Sequence, residues 1–248
     1  MKIATLNLRH NQDRWDERFP LVVDSLHDEQ ADVIGLQEVW LEIHQAHMIA
    51  DALNQHTPQQ PYDVYLQPKW GDQPVEGIAI LSRLPALAHE RLELPEGQRI
   101  AQRIVVNVDG KSVNIANTHL HHRPQEDESI RLPQMQALLT WMFERAPDRW
   151  LLTGDMNAQP ESTTIAAALD RLQSAYYDVH QQQPVTFPTP LVADQLPDWA
   201  WTIDYIFYTA RSMRVSGCHV MADQAAPDDP KLYPSDHFGL AAQVEVMA

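Results

Sequence analysis

Short apolar runs recur along the chain, and stretches with helical spacing lie between some of them. Residues 2–8 alternate apolar and polar side chains and predict a strand carrying Asn7 near its end. A helix opening around Pro20, which a first turn tolerates, has Phe19, Val22, Val23 and Leu26 on its apolar face. Residues 32–39 read as a buried strand whose apolar run stops at Gln37-Glu38, and 41–54 as an outer helix with Ile43, His47, Ala50 and Leu53 at helical spacing. His44 and His47 on that helix read as solvated surface histidines. Strands follow at 62–66, at 77–82 with Glu76 at its mouth, and at about 86–93 and 102–108. Asp109-Gly110 is a two-residue hairpin signal. The return strand from 111 ends in Asn117-Thr118-His119-Leu120, and a polar loop occupies 121–128.

In the second half a helix is predicted from about Ser129, with Pro133 near its first turn and Met135, Leu138, Leu139 and Met142 inward. A strand at 150–157 ends in Gly154-Asp155-Met156-Asn157. Alternation on an extended chain would put Asp155 and Asn157 on one side. An alanine-rich helix at 161–169 leads to an irregular stretch, 178–202, that holds Phe187, Trp199 and Trp201. Its aromatic rings would either line a substrate rim or pack the loop onto the body. Residues 202–208 form a buried strand interrupted by Asp204. A strand at 211–221 has a bulge expected at Gly217, and Ser235-Asp236-His237 precedes the last strand, 238–246.

Composition narrows the classes. The net charge of −16, from 34 acidic and 18 basic residues, is a poor footprint for gripping a nucleic-acid backbone. Arg9, Arg14, Arg83, Arg123 and Arg131 would have to build any local basic patch. A single cysteine, Cys218, allows no intramolecular disulfide. The N-terminus lacks a signal-peptide pattern, and no apolar run approaches the roughly 20 residues that span a bilayer. One domain covering 1–248, cytoplasmic and monomeric, is the expectation. Taken singly, Asn7, Glu38, Glu76, His119, Asp155, Asn157, Asp204, Asp236 and His237 could each be an ordinary polar strand end. A buried strand-end glutamate such as Glu38 needs a partner, and a hard divalent cation is one.

Together these residues are specific. The ordered set Asn7, Gln37-Glu38, Asn117-Thr118-His119, Gly154-Asp155-Met156-Asn157, Ile203-Asp204-Tyr205-Ile206 and Ser235-Asp236-His237 resembles the endonuclease/exonuclease/phosphatase superfamily. The resemblance implies an α/β four-layer α/β/β/α sandwich, two mostly antiparallel sheets face to face with helices outside. It also implies a Mg²⁺-dependent phosphoesterase, with Mn²⁺ as a substitute. Glu38 would ligate the metal, Asn7 would support it, and Asp236 would serve as ligand or neighbour. Asp155 would orient or deprotonate the attacking water, and Asn157 would hold phosphate or water. His237, oriented by Asp204, would donate to the phosphate, and His119, partnered by Glu76, would contact it from the other side. Acidity favours a small or lipid-derived phosphoester substrate over the alternative of a DNA or RNA nuclease on the same fold.

Overall fold

The computed structural model describes residues 1–123, 127–193, 197 and 200–247. The chain runs β1 (Lys2–Asn7), α1 (Trp15–Glu29), β2 (Val33–Trp40), α2 (Gln45–His56), β3 (Asp63–Pro68), β4 (Glu76–Ser82), β5 (Ala86–Glu93), β6 (Ile100–Val108) and β7 (Lys111–His119). It continues through α3 (Arg131–Arg145), β8 (Trp150–Asp155), α4 (Thr163–Leu169), β9 (Gln173–Ser174), α5 (Ala175–His180), β10 (Asp204–Tyr208), β11 (Met213–Met221) and β12 (Gly239–Val246). The strands form two six-stranded sheets, ordered β11-β12-β1-β2-β4-β3 and β5-β6-β7-β8-β10-β9. Among the described residues only β1/β2 and β7/β8 pair in parallel; the other pairs are antiparallel, as the resemblance implies.

Side-chain alternation builds the layers. In the first sheet Ile3, Val33 and Ile80 face the second sheet, where they join Ile104, Val113, Leu151 and Ile206. Their neighbours Ala4, Leu6, Ile34, Leu36, Ala79 and Leu81 face outward and pack under Val22 and Leu26 of α1 and Ile49 and Leu53 of α2. Ala116, Leu152 and Phe207 of the second sheet pack likewise under Met135, Leu138 and Met142 of α3 and Ile165 of α4. Strands buried on both faces read as continuous apolar runs, which is why the inner strands were legible.

A polar seam crosses the apolar sandwich beneath one edge. Gln37 Nε2 donates to Asn117 Oδ1 across the sheets at 2.7 Å. Asn117 Nδ2 donates to the carbonyls of Leu36 and Ala79, each at 2.9 Å. A Cβ on Gly35 would collide with the Thr153 hydroxyl and come 2.9 Å from Asn117 Oδ1, so the sheets approach this closely only over a glycine. Gly154 has φ 151°, and a Cβ there would strike the Thr118 carbonyl of the neighbouring strand.

Three elements differ from expectation. Helix α1 begins at Trp15, so Pro20 lies inside it; Arg14 O already accepts from Glu17 N and Arg18 N, closing the first turn ahead of the proline. Strand β8 stops at Asp155 rather than running to 157, because Asn157 turns to φ 48°. Residues 178–180 are the last turn of α5, with Ser174 at its N-cap accepting from Tyr177 N. The bulge at Gly217 and the Asp109-Gly110 turn lie where the pattern puts them.

Candidate active site

Register gathers the scattered residues. In the second sheet His119 is opposite Asp155 in the β7/β8 pair, and Asp204 is opposite Asp155 in the β8/β10 pair. In the first sheet Asn7 is opposite Gln37 at the parallel ends of β1 and β2. The register of β2 against β4 shifts between Leu36 and Val39, and Glu38 takes φ 52° there. His237 lies just before β12, whose first residues pair beside the end of β1. All nine candidates therefore reach one edge of the sandwich.

Asp155 is the hub. Its Oδ2 accepts from Asn7 Nδ2 at 2.9 Å and lies 3.4 Å from His119 Nε2 and 4.0 Å from His237 Nε2. Its Oδ1 accepts from the backbone N–H of Asn157 at 2.8 Å. Asp155 and Asn157 thus meet through a tight turn rather than by strand alternation, and Asn157 Nδ2 is tied to the Leu120 carbonyl at 3.1 Å. Burial, reinforced by the neighbouring Asp204, pushes the Asp155 carboxyl up to about 7. His237 Nδ1 and Asp204 Oδ2 are 2.8 Å apart, and the Phe187 ring leans on the imidazole at 4.9 Å. Burial opposes charge on His237, but Asp204, Asp236 and Asp155 outweigh it and push its pKa up to about 10.

The Glu76–His119 pairing is looser than the sequence suggested. The two residues sit on different sheets, 3.7 Å apart at their nearest atoms, and Arg99 Nη1 donates to His119 Nδ1 at 2.9 Å. Arg99 can only donate, so His119 Nδ1 accepts and its Nε2 carries the proton toward Asp155. Burial and the Arg99 charge hold His119 well below the usual histidine range. Glu76 instead receives Lys69 Nζ and lies 3.0 Å from His10 Nε2. Burial would raise the Glu76 carboxyl, but His10, His119 and Lys69 hold it well below the carboxylate range.

Of the candidate metal residues, Glu38 is the least committed. Its carboxylate has His10 at 3.7 Å and His119 at 3.9 Å, and burial raises its pKa against the pull of His10, with Asp236 and Glu76 adding repulsion. Asn7 is engaged by Asp155 and by Arg9 N, whereas Asp236 is ion-paired with the Arg9 guanidinium. Ligand atoms of Asp155, Asp204 and His237 lie within 4.8 Å of one another, and Asp204 Oδ1 is buried without a hydrogen-bond partner among the described residues. His237, held protonated, offers no lone pair to a metal, so it is the loosely held Glu38 carboxylate beside this trio that suits a hard divalent cation.

Sequence reasoning missed His10, Lys69 and Arg99. His10 follows the β1 end and faces Trp40 with ring centres 5.3 Å apart, while Arg99 immediately precedes β6. The strand ends were a usable signal for both, but neither belongs to a recognisable motif. Three of the five arginines considered for a basic patch are ion-paired: Arg14 with Glu17 and Asp229, Arg131 with Glu128, and Arg9 with Asp13 and Asp236. Of the aromatic loop, Phe187 and Trp201 bond backbone to backbone and stack at 5.9 Å, and Trp199 lies outside the described residues. His44 and His47 are exposed, as expected.

The model of the Endonuclease/Exonuclease/phosphatase family matches residues 4–237. The chain belongs to that family. Members of that family hydrolyse phosphoesters. The chain is 28% identical over 275 residues to Nocturnin from Drosophila melanogaster, an alignment covering 94% of this chain and 42% of that protein. The chain thus spans less than half of that relative. Among solved structures, the human Nocturnin catalytic domain with bound sulfate matches with TM-score 0.77 and 21% identity, covering 100% of this chain and 93% of the other. The Bacteroides thetaiotaomicron mannosyl-6-phosphatase matches with TM-score 0.79 and 19% identity over 99% of each chain. Truncated TDP2 from Caenorhabditis elegans matches with TM-score 0.75 and 17% identity, covering 100% of this chain and 97% of that one. These likenesses establish the shared fold.

Proposed function

We propose that the chain is a divalent-cation-dependent phosphoesterase acting on a small or lipid-derived phosphoester, with Asp155, His237 and Asp204 at the reacting centre. The observation that carries this reading is the trio itself: a carboxyl poised near neutrality lies 4.0 Å from an imidazole that a second carboxylate keeps charged. A carboxyl raised to near neutrality beside an imidazole raised above it suits a base and an acid working in one site.

Asp155 would take a proton from, or orient, the attacking water. Asn7 holds one carboxylate oxygen and the Asn157 backbone the other, so the group is fixed before substrate arrives. Asp204 engages Nδ1 of His237, which leaves Nε2–H to donate to a phosphoryl oxygen. His119 presents its own Nε2–H from the opposite side, with Arg99 fixing the tautomer. Asn157 would hold water with its side-chain carbonyl, or phosphate with the amide N–H not given to Leu120, and Glu76 acts on His119 through the surrounding charge network. Glu38 and Asn7, with Asp236 once it releases Arg9, are the residues we assign to Mg²⁺ or Mn²⁺. Bound there, the cation supplies charge neutralisation at the phosphoryl oxygens.

The test is hydrolysis with Mg²⁺ or with EDTA, side by side on p-nitrophenyl phosphate, bis-p-nitrophenyl phosphate and plasmid DNA. Metal-dependent turnover of either small ester with little nicking is the expected result. Efficient nicking that falls steeply with salt would replace this reading by a nuclease.

A further inference from the structure

On the side of His119 away from Asp155 lies a cationic cluster that this chemistry uses only to fix the His119 tautomer. Arg99 is 5% exposed, and its two terminal nitrogens donate to neutral acceptors: Nη1 to His119 Nδ1 at 2.9 Å and Nη2 to His122 Nδ1 at 3.1 Å. Its nearest carboxylate oxygen, Glu76 Oε1, is 3.7 Å away. Lys69 shares that same carboxylate. One glutamate thus faces both Arg99 and Lys69, whose pKa burial and Arg99 lower, and also lies close to His10 and His119. Burial first, then Arg99, push the neighbouring His122 down to about 4, and they lower His121 in the same order. This occurs in a chain of net charge −16.

A buried guanidinium bonded to imidazoles is poorly matched, since charge-assisted bonds to an anion are about twice as strong as neutral ones. His122 is exposed, so its ring can leave Arg99 without disturbing the core. The exposed Trp70 is fixed at the rim, its indole N–H donating to the Arg99 carbonyl at 3.2 Å. From this geometry we infer that Arg99 and Lys69 form a second anion subsite, which takes a further phosphoryl or carboxylate group of the substrate after displacing His122. The inference rests on the phosphoesterase reading above and narrows it: the preferred substrate carries two anionic groups, one at Asp155 and His237 and one beyond the His119 ring.

The test is calorimetric binding of inorganic phosphate, pyrophosphate and phosphonoacetate to the full chain in EDTA. Pyrophosphate or phosphonoacetate binds wild type about tenfold or more tightly than phosphate, one added charge-assisted contact being worth about that factor. Whichever of the two binds more tightly identifies the second group as phosphoryl or carboxylate. Arg99→Gln brings the ratio close to one, whereas His122→Ala keeps or increases it. Lys69→Gln is the second variant, lowering the same ratio if Arg99→Gln does not fold. A wild-type ratio near one, or a ratio that neither Arg99→Gln nor Lys69→Gln changes, overturns the subsite. Turnover of p-nitrophenyl phosphate, which has no second anion, is followed in parallel; its absence would count against the phosphoesterase reading, not against the subsite.

Discussion

Asp155 lies 1% exposed between two sheets and is bonded to Asn7 from one and the Asn157 backbone from the other, so a change there is felt in charge before it is felt in packing. Asp155→Asn or His237→Ala is expected to lower kcat by about a hundredfold or more, the usual scale for a lost acid or base. Circular dichroism and thermal melting would check that the fold persists. The pH dependence follows from His237, whose folded-state pKa of about 10 lies above the ordinary value. A raised histidine pKa stabilises fully below the unfolded value, about 6.5, and that stabilisation is lost as pH rises toward 10. In EDTA, urea midpoints of wild type should therefore fall between pH 7 and 10, and Asp204→Asn should flatten that fall. At this scale the sequence showed which residue types stood at strand ends and in what order. It could not show that Arg99 would take the Nδ1 of His119, because Arg99 precedes β6 outside any motif and lies 20 residues from His119 in sequence.

The strand ends converge because two parallel pairs, β1/β2 and β7/β8, start their strands at one edge and finish them at the other. Asn117 then ties the sheets just beneath the site, bonding Gln37, Leu36 and Ala79 from within the apolar sandwich. Asn117→Leu would leave those buried groups without partners. It should cost about 3 kcal/mol, the upper range for orphaned polar groups, measured by urea denaturation. A cost under about 0.5 kcal/mol, the level of a surface change, would mean the seam is not structural. Most elements were legible because inner strands buried on both faces read as apolar runs and the outer helices carry one apolar stripe. Strand β9 and helix α5 were not: two and six residues long, they hold too little pattern, and tertiary contacts to β10 and a serine cap define them.

For the molecule as a whole, five carboxylates crowd one edge: Glu38, Glu76, Asp155, Asp204 and Asp236. Histidines and Arg9, Lys69 and Arg99 answer them incompletely. A cation that binds the folded chain and not the unfolded one raises stability by mass action, about 2.7 kcal/mol at one hundred times its dissociation constant. Mg²⁺ should accordingly raise the melting temperature, and Glu38→Gln should abolish most of that shift; an undiminished shift would remove Glu38 from the metal site. The net charge of −16 sets a general repulsion against nucleic acid, which the cations around Glu76 offset only locally. No helix of the described residues is long and apolar enough to cross a membrane.

The measurement that tests the central claim most directly is the initial rate of phosphoester hydrolysis by wild type and Asp155→Asn, each with Mg²⁺ and with EDTA. The account predicts turnover in one of the four reactions, wild type with Mg²⁺, and rates near background in the other three. Hydrolysis by Asp155→Asn at the wild-type rate, with unchanged melting, would contradict the assignment of the strand-end cluster as the reacting centre.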